Sequence, residues 1–392
     1  MRYRSLILLI TMLLGTFSLV SAQNDGKMIL KGTIVDAKTN EPVPFANLGL
    51  LGTVAGVASD MDGKFELAIP DKYALYKVRI SAVGFASAEF KAYELKDKPD
   101  QIIRLRSVTY GIGEVDVYGQ LLIYKKMLQN VVSNISKNYM VDPYNYEGYF
   151  KHVVNKDGIE KTRESVVTIY DAAGYCRSNV AETFKDVNYK YNQVRRSEPA
   201  SSVLDGLTCM DDILTADIVR NTRNVLDIYN SRDFKLKSKG VIMYEGDSVQ
   251  IISYMVKNPT ITTSGHAAVT AYSGEIYINK RDMAVLKNVM HIVSSGHSIL
   301  GRQILPAGAD SEGPVTTEIT TTYKKLRNIY FLSGVNVSYN YNQKGAEVQE
   351  NMEYVTTRVE MNSPEVIDGR TYYEDIKADE EFWNRYSSYF QE

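Results

Sequence analysis

Cysteine is nearly missing from this chain of 392 residues, histidine is scarce, and tryptophan occurs once. Two cysteines, Cys176 and Cys209, are too few for a disulfide-dense scaffold. Neither stands in a C-x-x-C spacing or beside a histidine, which excludes the usual thiolate metal site. In an oxidising compartment they either form one disulfide or stay free, because spacing alone does not say whether their Cβ atoms meet. The four histidines are His152, His266, His291 and His297, and none is followed by an acidic residue three or four positions on. A zinc peptidase needs that pair, so its chemistry is missing. His291 and His297 lie close in sequence but without an acidic neighbour, and are expected in strands or loops. Neither Tyr272–Glu275 nor Leu332–Val335 completes a Gly-x-Ser-x-Gly elbow, and no phosphate loop occurs. An excess of charge is lacking as well: 45 Lys and Arg stand against 47 Asp and Glu, which argues against a nucleic-acid partner.

Long apolar runs are confined to the start. Arg2 and Arg4 precede LILLITMLLGTFSLV, and Val20-Ser21-Ala22 supplies small residues, so residues 1–22 read as a secretory signal with the mature chain starting at Gln23. Aromatic content is carried by 29 tyrosines, whose amphipathic rings suit half-buried strands.

Residues 23–106 carry alternating strands punctuated by turn residues: LKGTIVD, the turn AKTNEP, PFANLGLLG, the turn ASDMDG, then KFELAIP and KVRISAVGF. The spaced set is Gly32, Asp36, Pro44, Ala46, Asp60, Asp62, Gly63, Phe65, Gly84 and Phe85. Asp62-Gly63 lets the chain reverse and delivers Phe65 to a core that should include Ile34, Val35, Ile69, Val78 and Ile80. Asp60 and Asp62 could ligate calcium, but satisfying turn amides is the simpler role. This pattern resembles the carboxypeptidase-like regulatory domain, a transthyretin-like β-sandwich of exported proteins. The resemblance implies an accessory module without catalytic residues.

Residues 107–120 read as a linker. Gly111-Ile112-Gly113 lacks a dinucleotide loop's third glycine, whose place Asp116 takes. Gly113–Val117 resembles the segment that contacts TonB in outer-membrane receptors of the starch-utilisation type, although no recognisable plug follows. From 121 to 392 the pattern is β-rich. Helices are expected near 121–137, where Tyr124, Leu128, Val131 and Ile135 share a face, and near 204–229. Successive hairpins about Asp157-Gly158, Glu245-Gly246 and Asn279–Asp282 favour a large, curved antiparallel sheet, a half-barrel with helices over its hollow face. The acidic pairs Asp211-Asp212 and Glu380-Glu381 suit helix starts better than glycoside hydrolysis.

This region resembles the uncharacterised segment that follows the regulatory domain in exported Bacteroidetes proteins. Its GEIYINKRDMAVLKNV stretch also resembles carriers of the Lol lipoprotein-sorting type. The fold expectation is therefore mainly β, a sandwich followed by a helix-covered half-barrel. The functional expectation is a non-enzymatic exported envelope protein without a cofactor, recognising a protein, glycan or lipid. An amphiphile carrier or a hydrolase with a dispersed site are the alternatives.

If the leader reading is right, mass spectrometry of exported protein should find Gln23 at the N-terminus; an intact Met1 on membrane-embedded protein would contradict it.

Overall fold

A computed structural model describes residues 26–53, 56–96, 98, 101–108, 117–175, 187–197, 210–221, 223–227, 233–264, 268–295 and 312–385. Residues 1–22, read as a leader, residues 113–116 of the segment resembling the TonB-contacting stretch of receptors, and both cysteines lie outside them.

The N-terminal strands are β1 (Lys27–Asp36), β2 (Asn47–Leu50), β3 (Gly56–Ala58), β4 (Lys64–Pro70), β5 (Lys77–Ser81), β6 (Ala88–Lys91) and β7 (Ile102–Leu105). They form a three-stranded sheet ordered β4-β1-β7 and a four-stranded sheet ordered β3-β2-β5-β6. Their facing sides bury Leu30, Ile34, Leu48, Phe65, Val78 and Ile80 in one core, the sandwich expected from the alternation.

Ten further strands make a single open antiparallel sheet: β8 (Tyr144–Lys156), β9 (Ile159–Asp171), β10 (Val187–Arg196), β11 (Phe234–Tyr244), β12 (Asp247–Val256), β13 (Val269–Asn279), β14 (Val285–Ser294), β15 (Glu312–Leu326), β16 (Ile329–Gln343) and β17 (Ala346–Glu360). Their order is β10-β9-β8-β17-β16-β15-β14-β13-β12-β11, so β17 returns to pair with β8 and the rest is a meander. The hairpins β8–β9, β11–β12 and β16–β17 turn through Asp157-Gly158, Glu245-Gly246 and Lys344-Gly345. Both residues of each pair have positive φ, which matches the strand twist.

Register sorts the side chains. Ser165, Phe150, Tyr354, Val335, Thr321, Asn288 and Ile276 are consecutive cross-strand partners and share the inner face. That face packs against the helix Val117–Ser133 through Tyr124, Leu128 and Val131, and against the helix Met210–Ala216 through Met210 and Ile213. Tyrosines fill much of the space between. Tyr139 meets the rings of Tyr175, Tyr323 and Tyr330 at 5.0, 5.8 and 5.8 Å, while its hydroxyl donates to the Val285 carbonyl at 3.1 Å. Gly148 leaves room for the Tyr354 ring, which a Cβ there would strike.

Of the helix expected over 204–229, the described residues hold Met210–Ala216. Asp217 ends it: its Oδ1 accepts the Val219 and Arg220 N–H groups at 3.0 and 3.3 Å, an arrangement that competes with helical bonding. The Tyr175 and Tyr323 hydroxyls hold the same carboxylate at 2.7 and 2.5 Å. At the other expected helix the start moves back to Val117, inside the segment read as a linker, and a separate turn, Ile135–Asn138, follows.

After β17 the chain runs along β10. Asn188 Nδ2 donates to the Ile367 carbonyl at 2.9 Å, and the Tyr191 N–H donates to Thr371 Oγ1 at 2.9 Å. In the short helix Glu380–Arg385, Trp383 is buried against Tyr149 and Val166. Its Nε1–H donates to the Val194 carbonyl at 2.9 Å, and the Arg195 guanidinium lies 4.7 Å from its ring. Trp383→Ala should lower stability by about 3–5 kcal/mol, read as a lower Tm with unchanged association state. An unchanged Tm would show that this helix does not bear on the sheet.

Candidate functional site

The sandwich sits on the outer face of the ten-stranded sheet. Phe45, in the left-handed region at φ 56°, puts its ring over Gly334, where a Cβ would come within 2.5 Å of a ring carbon. Phe45, Ala58 and Val355, with Met61 against them, form a small apolar contact between the two units. Polar pins surround it. Asn47 Nδ2 donates to Tyr244 Oη at 3.4 Å, Ser81 Oγ donates to Glu245 Oε1 at 3.1 Å, and the Met61 N–H donates to Glu353 Oε1 at 3.1 Å.

Glu353 is 7% exposed beneath the Asp60–Gly63 turn. Burial, followed by the nearby Asp60 charge, pushes its carboxyl up to about 8, with Lys151 and the Met61 N–H pulling the other way. Asp60 is also raised, chiefly by burial, although the Lys64 N–H bonds it at 2.7 Å.

Beside this contact a cleft of about 350 Å³ opens between the β2–β3 hairpin and the ends of β15, β16 and β17. Gly56, Val57 and Ala58 of β3 form one wall; Lys324, Arg327 and Arg358 face it, with Phe331, Leu332 and Val359 as apolar lining. Arg358 pairs loosely with Glu360 at 3.8 Å. Burial lowers the Lys324 pKa, and Glu245 acts in the opposite direction. A second recess, of about 200 Å³, follows the same junction past Pro44, Phe85 and Lys287.

The residues singled out in the sequence mostly build the sandwich. Gly32 leaves space for the Phe65 ring, whose nearest atom would be 2.9 Å from a Cβ there. Asp36 Oδ1 accepts the Lys38 N–H at 2.6 Å. The Ala46 N–H donates to Ser59 Oγ at 2.9 Å, which in turn donates to the Val43 carbonyl at 2.8 Å. Asp62 pairs with Lys64 at 3.2 Å, Gly63 takes φ 72°, and Phe65 is buried in the sandwich core. Gly84 takes φ 99°, and Phe85 bridges to Ser107. Of this set, Pro44 and Phe85 line the second recess and Asp60 and Asp62 flank Met61 over Glu353, while Cys176 and Cys209 lie outside the described residues.

Spacing along the chain missed what cross-strand neighbours supply. His152, followed by no acid in sequence, has Glu350 of β17 at 2.6 Å from its Nε2, both buried on the inner face. His291 meets Glu318 of β15 at 3.1 Å on the surface. The basic residues of the cleft carried no motif.

Because its folded pKa lies above its ordinary value of 4.5, Glu353 keeps its proton in the folded state between 4.5 and about 8 while the unfolded chain loses it. Its contribution to stability is therefore fully present below 4.5 and falls as pH rises to about 8, by up to about 1.4 kcal/mol per pH unit. Glu353→Gln should flatten that slope and raise Tm at pH 8.5, with little change near pH 4. An unaltered slope would place the titration elsewhere.

Residues 30–117 match the CarboxypepD_reg-like domain family. No curated protein sequence matches the chain. Among solved structures, the chain is similar to a putative outer membrane lipoprotein-sorting protein domain from Vibrio parahaemolyticus, at 10% identity and TM-score 0.27, covering 62% of this chain and 94% of that one. It is also similar to a LolA superfamily protein from Nitrosomonas europaea, at 9% identity and TM-score 0.24, with coverage of 62% and 94%. A DUF1329 family protein from Desulfovibrio piger gives 10% identity and TM-score 0.27, with coverage of 64% and 96%. Likenesses this loose align no functional residue. The chain thus carries a CarboxypepD_reg-like domain at residues 30–117, followed by a β-rich region built as one open ten-stranded sheet.

Proposed function

We propose that the protein is an exported, non-catalytic binding protein of the cell envelope, in which sandwich and sheet together form the recognition surface. The observation that carries this reading is where the open space lies. Among the described residues the inner face of the sheet is packed with tyrosine and aliphatic side chains under two helices. The cleft of about 350 Å³ opens instead where the regulatory-type domain meets the outer face. Fixing Phe45 over Gly334 holds the two walls of that cleft in one geometry, which lowers the ordering cost of binding. Export follows from the basic, apolar and small-residue pattern of residues 1–22.

An acyl-chain carrier would need the inner face to open. Chloroform–methanol extraction of protein purified from envelopes decides between the two. The expected result is no stoichiometric lipid and no turnover of peptides or glycans. One lipid per chain would overturn the filled-face reading in favour of a carrier, and hydrolysis lost on replacing one carboxylate would make the protein an enzyme.

A further inference from the structure

The geometry points to an extended acidic peptide segment as the occupant of the cleft, adding as a strand to the free edge of β3 with its carboxylates over Lys324 and Arg327. The inference rests on the cleft being the binding surface.

Two independent features converge there. The first is backbone. Among the described residues β3 is an edge strand, paired with β2 on one side and with no strand on the other. All three of its residues line the cleft. An unpaired edge presents N–H and C=O groups at strand spacing, which is the template for strand addition. Covering that edge is the usual way a protein avoids indiscriminate pairing; here a cleft is kept open beside it.

The second feature is charge. Lys324 and Arg327 have no ion-pair partner among the described residues, while the adjacent Lys325 is paired with Asp282 at 2.7 Å. Lys324 is half-buried, and the acid that acts on it, Glu245, already accepts the Ser81 hydroxyl. A desolvated cation without a partner is costly, and a ligand carboxylate relieves that cost. Arg327 occupies the β15–β16 turn at φ 58°, exposed at the mouth. Arg358 and its loose partner Glu360 stand at the far end. Beyond them lies a recess of about 290 Å³ lined by Glu147, Glu360 and Glu365 together with Arg358, and Glu360 also lines this end of the cleft, so net positive charge falls away from Lys324 and Arg327. The ligand's acidic end is therefore held toward Lys324 and Arg327. Apolar lining from Phe331 and Leu332 suits the alternate side chains of a strand, which point away from the carboxylates.

The test is fluorescence anisotropy on the full chain with a labelled, terminally blocked Glu-Val-Glu-Val-Glu peptide. Its competitors are the Lys-Val-Lys-Val-Lys counterpart, free glutamate and inorganic phosphate. Two further probes carry N-methyl groups on alternate amides, one blocking each edge of the strand. Saturable binding of the acidic peptide alone is expected, weakened about tenfold by N-methylation of one edge and little by the other. Arg327→Glu, at an exposed turn, should weaken it by about tenfold or more. Circular dichroism would confirm that this variant remains folded. Equal binding of acidic and basic peptides overturns the charge assignment. Equal binding of both N-methylated forms and the parent overturns strand addition. Displacement by phosphate or glutamate as effective as by the peptide would make this a simple anion site and also overturn the proposal. Absence of peptide binding in a protein free of lipid would sink this inference and leave the binding-protein reading standing. A bound lipid would sink that reading instead.

Discussion

An open sheet of ten strands has two faces and two edges to protect, and the arrangement of this chain follows from that constraint. A closed barrel would pair its own edges; this one does not. At one side the helix Val117–Ser133 lies against β11. On the other, the segment after β17 runs along β10 and ends with Trp383 on the outer face. The inner face is covered by helices and irregular chain, and part of the outer face by the N-terminal sandwich.

Filling the inner face with tyrosine has a price in polar atoms, since each buried hydroxyl needs a partner. Asp217 meets part of that need by accepting from Tyr175 and Tyr323 while capping its own following turn. Burial pushes its carboxyl up, and the two tyrosine hydrogen bonds oppose the rise. The Tyr330 hydroxyl donates to Asp282 at 3.0 Å in the same manner. These carboxylates stitch irregular segments to the sheet where no regular ladder reaches. Among the described residues, Thr321 Oγ1, Ser165 Oγ and Asn288 Nδ2 are buried without a hydrogen-bond partner along one cross-strand row.

Covering the outer face creates the functional opportunity. The sandwich touches the sheet through a small apolar contact and a few hydrogen bonds, so a cleft remains beside the contact. Burial beneath the Asp60 turn raises the Glu353 carboxyl to about 8, which ties that junction to the predicted pH dependence. The basic residues near the hairpin ends are left to face β3. Under the proposed function the regulatory-type domain is thereby half of a recognition surface.

What the sequence by itself determined was local. Asp62-Gly63, Gly84 and the alternation around Phe65 are short-range signals, since a turn or a buried strand face needs only its neighbours to be recognised. The hairpin glycines at 158 and 246 set the meander for the same reason. The apolar spacing up to 225 read as helix past the point where it stops, because periodicity does not register that Asp217 would be captured by tyrosines 42 residues before it and 106 after it. Only the tertiary structure decided that β17 returns to β8, joining His152 to Glu350 across 198 residues, and that Glu353 meets the sandwich at Met61. It alone brought Lys324 and Arg327 opposite β3. Such pairings arise from register between distant strands and from packing two units together, and neither leaves a periodic trace in the order of residues.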